Sequence, residues 1–374
     1  MMENAGNKEY RAPILTSYRH GGMSGLDFRR FNIPERPVID FSVNLNPLGM
    51  PSVVRKTWHE FVEEAGKYPT PDGRGISHFY QQRFGIAPEN ILGGNGSTEL
   101  IYLIPRVIPF KRALIVTPSY HDYERATSMA GKEIKHLALH PEKDFFFPSS
   151  HRLSEALRDV DALWLGRPNN PTGTMISKEL ILTMAARFPE TWFFIDEAFV
   201  QFTEEWEKES LLLEEPLPNL LVIHSLTKFY CLPGLRMGAM YGSSDIISRL
   251  RYAKEPWTIN GIADRIAPQL AHLPDYEERT TVLVRQERQR FIKRAQALEG
   301  IDAFPPTACF VLCRWKRTRN LDDLLKHLLS HGISVRDCRN FRGLTDNFFR
   351  IGLRTPPDND LLISTISSFV GVKA

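Results

Sequence analysis

Short apolar runs alternate along the chain with longer segments in which apolar residues recur at helical spacing. The runs that predict strands are ALIVTP (113–118), ALWLG (162–166), WFFID (192–196) and NLLVIHS (219–225). The segments that predict helices between or beside them are 97–108, 121–131, 178–188 and 244–253. This alternation is typical of an α/β fold in which helices cover a mostly parallel sheet.

The last third of the chain has a different order of elements. The charged segment 275–300 predicts one long helix that ends at Gly300. The elements predicted after it are a strand at 308–315, a helix at 321–330, a strand at 348–354 and a helix at 358–370. This order predicts a smaller α+β domain at the C-terminal end.

The length of 374 residues favours two domains, because single hydrophobic cores stop growing at roughly 250–300 residues. Residues 1–36 are polar, and prolines interrupt any periodic pattern in them. We therefore predict an N-terminal arm at 1–45, a large domain at 46–262 and a small domain at 263–374.

Composition excludes several classes of function. Hydrophobic residues make up 42% of the chain and charged residues 24%, which are ordinary globular values. No apolar stretch approaches the ~18 residues that a membrane helix needs, and the start has no apolar core typical of a signal peptide. We expect a cytoplasmic protein with no membrane partner. The net charge of +3 does not indicate nucleic-acid binding.

The four cysteines do not predict a disulfide framework or a metal centre. They are scattered at positions 231, 309, 313 and 338. No histidine lies at metal-ligand spacing from Cys309 and Cys313, so a packing role is expected and no metal is predicted.

Polar residues follow two neighbouring strands, where open α/β sheets bind their ligands. Asp196 ends WFFID, and a buried carboxylate needs a cation such as a protonated pyridine nitrogen. Lys228 follows the next strand in HSLTKFYCLPGLRMG. A lysine that is partly buried beside other cations becomes a nucleophile toward an aldehyde. Ser225, Thr227 and Arg236 supply hydroxyls and a guanidinium for a phosphate.

A glycine-rich turn adds a second phosphate signal. GGNGSTEL (93–100) opens a helix and directs backbone amides at an anion. An amine, a ring acid and a phosphate cup together describe a site for pyridoxal phosphate. Each feature alone has an ordinary explanation, namely a solvated lysine, a helix-capping acid or a packing turn. Their joint order along the chain, with RPNNPTG (167–173) between them, favours the cofactor.

At these motifs the chain resembles the class I/II aminotransferases of the fold-type I pyridoxal-phosphate enzymes, over nearly its whole length. The resemblance implies that Lys228 bonds covalently to the cofactor, that Asp196 pairs with its pyridinium nitrogen and that Tyr120 stacks on its ring. Asn170 is expected to donate to the phenolic oxygen of the cofactor. It would be the sole donor, because Phe199 stands where the family usually has a tyrosine that donates as well. The residues implied for the phosphate cup are Gly96, Ser97, Thr98, Ser225, Thr227 and Arg236.

Two further features resemble the histidinol-phosphate aminotransferase branch of that family. Tyr68 in KYPTPDG matches a tyrosine that reaches the cofactor phosphate of the neighbouring subunit, which implies a homodimer with shared sites. Arg350 in FFRIGLR matches the arginine that binds the substrate α-carboxylate through two parallel hydrogen bonds. Arg354 is predicted as a second anion contact, because an even spacing along a strand places two side chains on one face.

Other motifs resemble the threonine-phosphate decarboxylase branch, which serves cobalamin synthesis. They are RHGGM (19–23), DFSVNLNPLG (40–49) and KEPWTIN (254–260). The resemblance implies that the arm folds over the site, that His20 faces the substrate phosphate, and that Gly21 and Asn44 also lie beside the substrate. The expected reaction is decarboxylation of L-threonine O-3-phosphate.

Four interpretations of the function stay open. The first is decarboxylation of threonine phosphate, with serine phosphate as a close variant of the substrate, because one methyl group discriminates between substrates by only ~1–3 kcal/mol. The second is an aminotransferase of the histidinol-phosphate type. The bond held perpendicular to the cofactor ring selects between the two reactions, and the sequence does not reveal which bond that is. The third is a partner-binding protein without catalysis. The fourth is a nucleotide-binding protein, against which the lack of a GxGxxG turn argues.

Overall fold

The computed structural model of the protein describes residues 20–316 and 320–371, so residues 1–19 of the predicted arm lie outside the described residues. The strands are β1 (Ile39–Asp40), β2 (Ile91–Asn95), β3 (Arg112–Thr117), β4 (Glu133–Ala138), β5 (Ala162–Gly166), β6 (Trp192–Asp196), β7 (Leu220–Ser225), β8 (Met237–Tyr241), β9 (Ile301–Ala303), β10 (Phe310–Trp315), β11 (Ile333–Ser334), β12 (Arg336–Asp337) and β13 (Phe348–Gly352). The α-helices are Ser24–Phe31, Ser52–Phe61, Arg74–Phe84, Gly96–Val107, Asp122–Met129, Ser150–Leu157, Lys178–Arg187, Trp206–Glu209, Leu226–Phe229, Ser244–Ala253, Gly261–Ile266, Pro274–Gln296, Leu321–Ser330 and Pro356–Gly371. Within the described ranges, no helix has both the length and the apolar character needed to cross a membrane.

Seven strands form a mostly parallel sheet in the order β2-β8-β7-β6-β5-β3-β4. Strand β8 runs antiparallel to both of its neighbours, and the other neighbouring pairs are parallel. The strands β5 and β7 are buried at every residue. Apart from His224 and Ser225 at the end of β7, their sequences are apolar instead of alternating, because helices cover both faces of the sheet. The predicted α/β fold with a mostly parallel sheet is confirmed.

A second, antiparallel sheet forms the smaller C-terminal domain, in the order β12-β13-β10-β9. It has its own apolar core, in which Val311 and Phe349 from the sheet pack with Leu328 and Leu362 from two helices. Phe41 also belongs to this core, and β1 pairs in parallel with β11. The last part of the predicted arm therefore packs with the small domain. The predicted domain limits at 45 and 262 stay predictions.

The sequence predicted the strongly apolar elements and missed the weakly apolar ones. Strands at 162–166 and 192–196 are confirmed at both ends, whereas the helix predicted at 275–300 ends at Gln296. Strand β4 was not predicted, because it lies at the sheet edge and most of its side chains are exposed. Strands β2 and β8 were not predicted either, because each contains glycine, which disfavours strand formation.

A buried ion pair joins the ends of β5 and β6. Arg167 donates to the Glu197 carboxylate at 2.8 Å, to the Glu209 carboxylate at 2.5 Å and to the carbonyl oxygen of Ile176 at 2.8 Å. Glu197 also accepts a hydrogen bond from the Ser210 hydroxyl at 2.6 Å. Neither Arg167 nor Glu197 is exposed. The pair is tolerated because further hydrogen bonds satisfy both charges, and it fixes the two strand ends beside each other.

We predict that Arg167→Met lowers the free energy of unfolding by about 3–5 kcal/mol, because the Glu197 carboxylate would stay buried without its partner. Urea denaturation followed by circular dichroism measures the change. Arg112→Met is the matched control, since Arg112 pairs with Glu133 at the surface and its loss should cost less than about 1 kcal/mol. Equal effects of the two substitutions would contradict the prediction.

Candidate active site

A cavity of about 520 Å³ lies at the carboxyl ends of the parallel strands and is also lined by arginines of the small domain. Most of the residues singled out from the sequence converge on it. Those that line the cavity are His20, Gly21, Asn44, Ser97, Thr98, Tyr120, Asn170, Asp196, Ser225, Thr227, Lys228, Arg236 and Arg350.

Asp196 ends β6 and is buried, with 7% of its surface exposed. The Tyr123 hydroxyl donates to one carboxylate oxygen at 2.8 Å, and the backbone amide of Ala198 donates to the other at 3.0 Å. Burial raises the pKa of this carboxyl above its ordinary value, although these two donors act in the opposite direction. The position therefore favours a ligand that brings a positive charge to the carboxylate.

Lys228 lies in a single helical turn after β7 and lines the cavity. Burial, followed by the nearby Arg350 and Arg236, lowers the pKa of Lys228 to about 8. A much larger share of neutral amine is present near neutral pH than for an ordinary lysine, which makes Lys228 a competent nucleophile. The backbone is anchored here, because Asn46 donates to the carbonyl oxygens of Lys228 at 3.1 Å and of Phe229 at 2.8 Å.

Residues predicted for the phosphate cup come together where the Arg236 guanidinium meets the start of a helix. Gly96 begins that helix with φ of +73°, and a Cβ atom there would lie 2.5 Å from Arg236 Nη2. Only glycine permits this approach. The hydroxyls of Ser97 and Thr98 follow, and the first amides of the helix have no partner within the helix. Amides, hydroxyls and a guanidinium together make an anion site.

Two buried arginines face the cavity from neighbouring strands of the small domain. Arg336 on β12 and Arg350 on β13 are register partners, with 4% and 5% of their surfaces exposed. Arg350 donates to the carbonyl oxygen of Ser42 at 2.8 Å and to the Asn170 amide oxygen. Burial lowers the pKa of Arg350 to about 10, and the charge of Arg336 acts in the same direction. Two adjacent buried cations favour anionic ligands.

Some polar atoms at this end of the cavity are buried without a hydrogen-bond partner in the structure. They include Arg350 Nε and Asn44 Oδ1. A buried donor or acceptor left unpaired costs free energy comparable to a lost hydrogen bond. A ligand that offers an acceptor to Arg350 and a donor to Asn44 would remove both costs.

The arm approaches the site through two glycines. A Cβ atom at Gly21 would lie 2.1 Å from the carbonyl oxygen of Ser42, so no other residue fits without moving the backbone. The amide of Gly22 donates to the Ser42 hydroxyl at 2.7 Å. These contacts place His20 in the cavity wall, where the resemblance implied that it would lie.

The structure does not bring every predicted residue to the cavity. Tyr68 is 88% exposed and packs beside Trp257, with ring centroids 5.6 Å apart. Arg354 bonds instead to the Asp358 carboxylate and to the carbonyl oxygen of Asp40, each at 3.3 Å. The alternation that placed Arg354 beside Arg350 does not hold, because β13 ends at Gly352.

Several cavity residues were not singled out from the sequence. They are Ser42, Val43, Tyr102, His121, Asp122, Tyr123, Arg125, Pro168, Ala198, Phe199, Arg336 and Phe341, of which only Phe199 had been noted, as a departure from the family. Arg336 lies in a strand of two residues, which is too short to show alternation. Tyr123 could have been predicted from the sequence, since it follows Tyr120 at helical spacing in SYHDY and should lie on the same side of the chain.

Comparison with known proteins gives a consistent result. The family model described as aminotransferase class I and II matches residues 36–366. The adenosylcobalamin biosynthesis bifunctional protein of Leptospira interrogans is 34% identical over 95% of this chain, which spans only 41% of that relative's length. The threonine-phosphate decarboxylase of Salmonella typhimurium is 31% identical over 94% of this chain and 96% of its own length.

A solved structure shows the same fold. The histidinol-phosphate aminotransferase from Clostridium acetobutylicum superposes with a TM-score of 0.82 at 29% identity, covering 88% of this chain and 98% of that one. Backbone similarity therefore extends to relatives named for a different reaction, and it does not select one reaction over the other.

We predict that Lys228 in cofactor-free protein reacts with an amine reagent with a midpoint near pH 8, since its pKa is about 8 instead of 10.5. Arg350→Met should move this midpoint upward, because one positive neighbour is removed. Mass spectrometry of the labelled peptide measures the reaction. Arg342→Met is the control, since Arg342 pairs with Glu124 at the surface. A midpoint near 10.5 in the unsubstituted protein would contradict the prediction.

Proposed function

Because the chain belongs to the class I and II aminotransferase family, we propose that it is a pyridoxal-phosphate-dependent decarboxylase of a phosphorylated amino acid, with L-threonine O-3-phosphate as its substrate. The observation that supports this most strongly is the pair of buried arginines, Arg336 and Arg350, beside the Lys228 amine. Two separate cations suit a substrate that carries both a carboxylate and a phosphate. The Salmonella relative named above supports the same substrate.

The residues of the cavity fit the cofactor. Within the described part of the chain, the buried Asp196 carboxylate accepts hydrogen bonds from two neutral donors, the Tyr123 hydroxyl and the Ala198 amide, so it suits a protonated pyridine nitrogen. Lys228 suits the aldehyde, and the start of the helix at Gly96 with Arg236 suits the phosphate. When bound, pyridoxal phosphate supplies an electron sink for negative charge at the substrate α-carbon.

The protein contributes orientation and proton transfer. Tyr123 donates to Asp196 and limits that carboxylate to one orientation toward the ring nitrogen. Asn170 is expected to contact the phenolic oxygen and Tyr120 the ring face. Lys228, with a pKa of about 8, readily gains and loses a proton near neutral pH, which suits it to return a proton to the α-carbon.

The anion contacts decide which bond breaks. We assign Arg350 with Asn44 to the substrate carboxylate and amine, and Arg336 with His20 to its phosphate. In the reaction the bond between the α-carbon and the carboxylate breaks, carbon dioxide leaves, and a proton takes its place. Holding the carboxylate out of the cofactor plane favours this outcome over loss of the α-hydrogen. Serine phosphate fits the same two contacts.

A second candidate is amino transfer of the histidinol-phosphate type. It is supported by the TM-score of 0.82 to a histidinol-phosphate aminotransferase at 29% identity. Histidinol phosphate carries a phosphate and no carboxylate, but 2-oxoglutarate, the second substrate of such an enzyme, carries two carboxylates, so the buried pair of arginines suits this candidate as well.

We predict that purified protein with pyridoxal phosphate releases carbon dioxide from L-threonine O-3-phosphate and forms no glutamate when 2-oxoglutarate is supplied. The matched assay uses L-histidinol phosphate with 2-oxoglutarate. Lys228→Ala should lose the visible cofactor absorption band together with activity. Glutamate formation without carbon dioxide would overturn the decarboxylase proposal in favour of the aminotransferase.

We predict that Arg336→Met raises KM for threonine phosphate by about 10- to 100-fold, because a charged hydrogen bond contributes about 1.5–3 kcal/mol. The cofactor absorption band should not change. Arg354→Met serves as the control and should change KM by less than about threefold, since Arg354 does not line the cavity. A larger effect at Arg354 than at Arg336 would reverse the two assignments.

We further propose a homodimer in which Tyr68 contacts the cofactor phosphate of the partner subunit. Exposed aromatic side chains support the proposal. The exposed fraction is 88% for Tyr68, 95% for Tyr252 and 51% for Trp257. Large apolar side chains exposed in this way are typical of a surface that another chain covers.

We also propose a cytoplasmic location. The four cysteines are all free, and three of them are buried. Disulfides are rare in that compartment, and thiols without partners suit it.

A further inference from the structure

A buried lysine of the motif KEPWTIN (254–260) lies beside the helix whose first residues line the cavity. Only 5% of the Lys254 side chain is exposed, and its Nζ atom lies 3.6 Å from Glu99 Oε1. The Thr258 hydroxyl accepts a hydrogen bond from Lys254 Nζ and donates to Glu99 Oε2 at 3.2 Å. None of the described residues 254–260 lines the cavity. The motif thus contributes an ion pair that a shared hydroxyl holds in place.

Glu99 lies in the first turn of the helix Gly96–Val107. Its Oε2 atom accepts a hydrogen bond from the backbone amide of Asn95 at 2.6 Å, which satisfies an amide directly before the helix. Ser97 and Thr98, the two residues before Glu99, line the cavity, whereas Glu99 does not. The acid therefore fixes the start of the helix without taking up space in the cavity itself.

The charge of Glu99 opposes a phosphate at the same helix start. The positive end of the helix dipole favours negative charge, but a carboxylate and a phosphate that share that end repel each other. A phosphate ester carries about 1.5–2 negative charges at pH 7. Only 20% of the Glu99 side chain is exposed, so salt and water screen the repulsion weakly. Without a nearby cation, Glu99 would weaken the binding of the cofactor phosphate.

Lys254 is placed to offset this charge. Its neighbour Glu255 is 59% exposed and pairs at 2.9 Å with Arg106, which lies in the last turn of the same helix. That pair is solvated and screened, whereas Lys254 and Glu99 are mostly buried. Burying an ammonium group is costly unless a carboxylate compensates it, so the buried position of Lys254 depends on Glu99.

The same segment also contacts the other side of the predicted phosphate cup. The Asn260 side-chain amide donates to the carbonyl oxygen of Leu235 at 2.9 Å, and Leu235 directly precedes Arg236. The carbonyl oxygen of Arg236 in turn accepts a hydrogen bond from the amide of Gly96 at 3.0 Å. Residues 254–260 therefore support both the start of the helix and the residue that carries the guanidinium.

We propose that Lys254 is a positioning residue for the cofactor phosphate, which acts by neutralising Glu99 at the start of the helix. It acts through Glu99 and not through contact with the cofactor, because it does not line the cavity. The pairing leaves the positive end of the helix dipole without an opposing charge when a phosphate binds. The inference rests on the placement of the cofactor phosphate in the proposed function, and it gives the motif KEPWTIN a physical role.

Titration of full-length, cofactor-free protein with pyridoxal phosphate and, separately, with inorganic phosphate tests the proposal. Lys254→Met should raise both dissociation constants by about 5- to 30-fold, as expected for an uncompensated charge at a partly buried helix end. Adding Glu99→Gln to that variant should restore both constants to within about threefold of those of the unsubstituted protein, because the opposing charge is then removed as well. Arg106→Met, which removes an exposed cation from the same helix, is the control and should change neither constant.

The proposal is overturned if Lys254→Met binds both ligands as tightly as the unsubstituted protein, or if the double variant binds them no better than Lys254→Met. The second result would assign Lys254 a packing role. If circular dichroism shows that Lys254→Met is unfolded, Glu99→Gln alone decides, since its affinities should be unchanged or higher and a loss of about fivefold would contradict the proposal.

These titrations contain no substrate, so they separate the inference from the proposed function. Failure of the unsubstituted protein to bind pyridoxal phosphate would overturn the proposed function. Binding of pyridoxal phosphate that does not depend on Lys254 would overturn this inference alone.

Discussion

The rest of the structure depends on how it holds charged groups in a cavity with few counter-charges. Lys228, Arg336 and Arg350 are among the basic residues that line the cavity of about 520 Å³, and Asp122 and Asp196 are buried acids that line it too. Removing such groups from water is costly unless each finds a partner. The lowered pKa values of Lys228 and Arg350 are the signs of that cost. An anionic ligand and a cationic ring would each offset part of it.

The surrounding fold supplies the rigidity that such a cavity requires. Arg167 and Glu197 lock the ends of β5 and β6, and Asn46 anchors the turn that carries Lys228. The segment from Asp40 to Asn46 connects these parts, because Ser42 contacts both the arm and Arg350, and Asn46 contacts the lysine turn. These contacts hold the site in a single arrangement at the junction of the large and small domains.

The sequence predicted the parts of the fold and the site that depend on local pattern. Continuous apolar runs predicted β5 and β6, because central strands of a parallel sheet are covered on both faces. The order of Asp196 and Lys228 predicted a shared location, because parallel strands end at one sheet edge. Arg336, His121 and Asp122 were not predicted, because tertiary packing brings them together and no periodicity marks them. Arg354 shows the opposite failure, in which a regular pattern was extended beyond the end of its strand.

The contact between Gly96 and Arg236 limits how this protein can vary. A methyl group at position 96 would collide with the guanidinium, and the carbonyl oxygen of Arg236 accepts the amide of Gly96 at 3.0 Å. A larger residue at position 96 would have to hold a φ of +73° and push the Arg236 guanidinium away from the start of the helix, so one substitution would bring backbone strain and a displaced cation together.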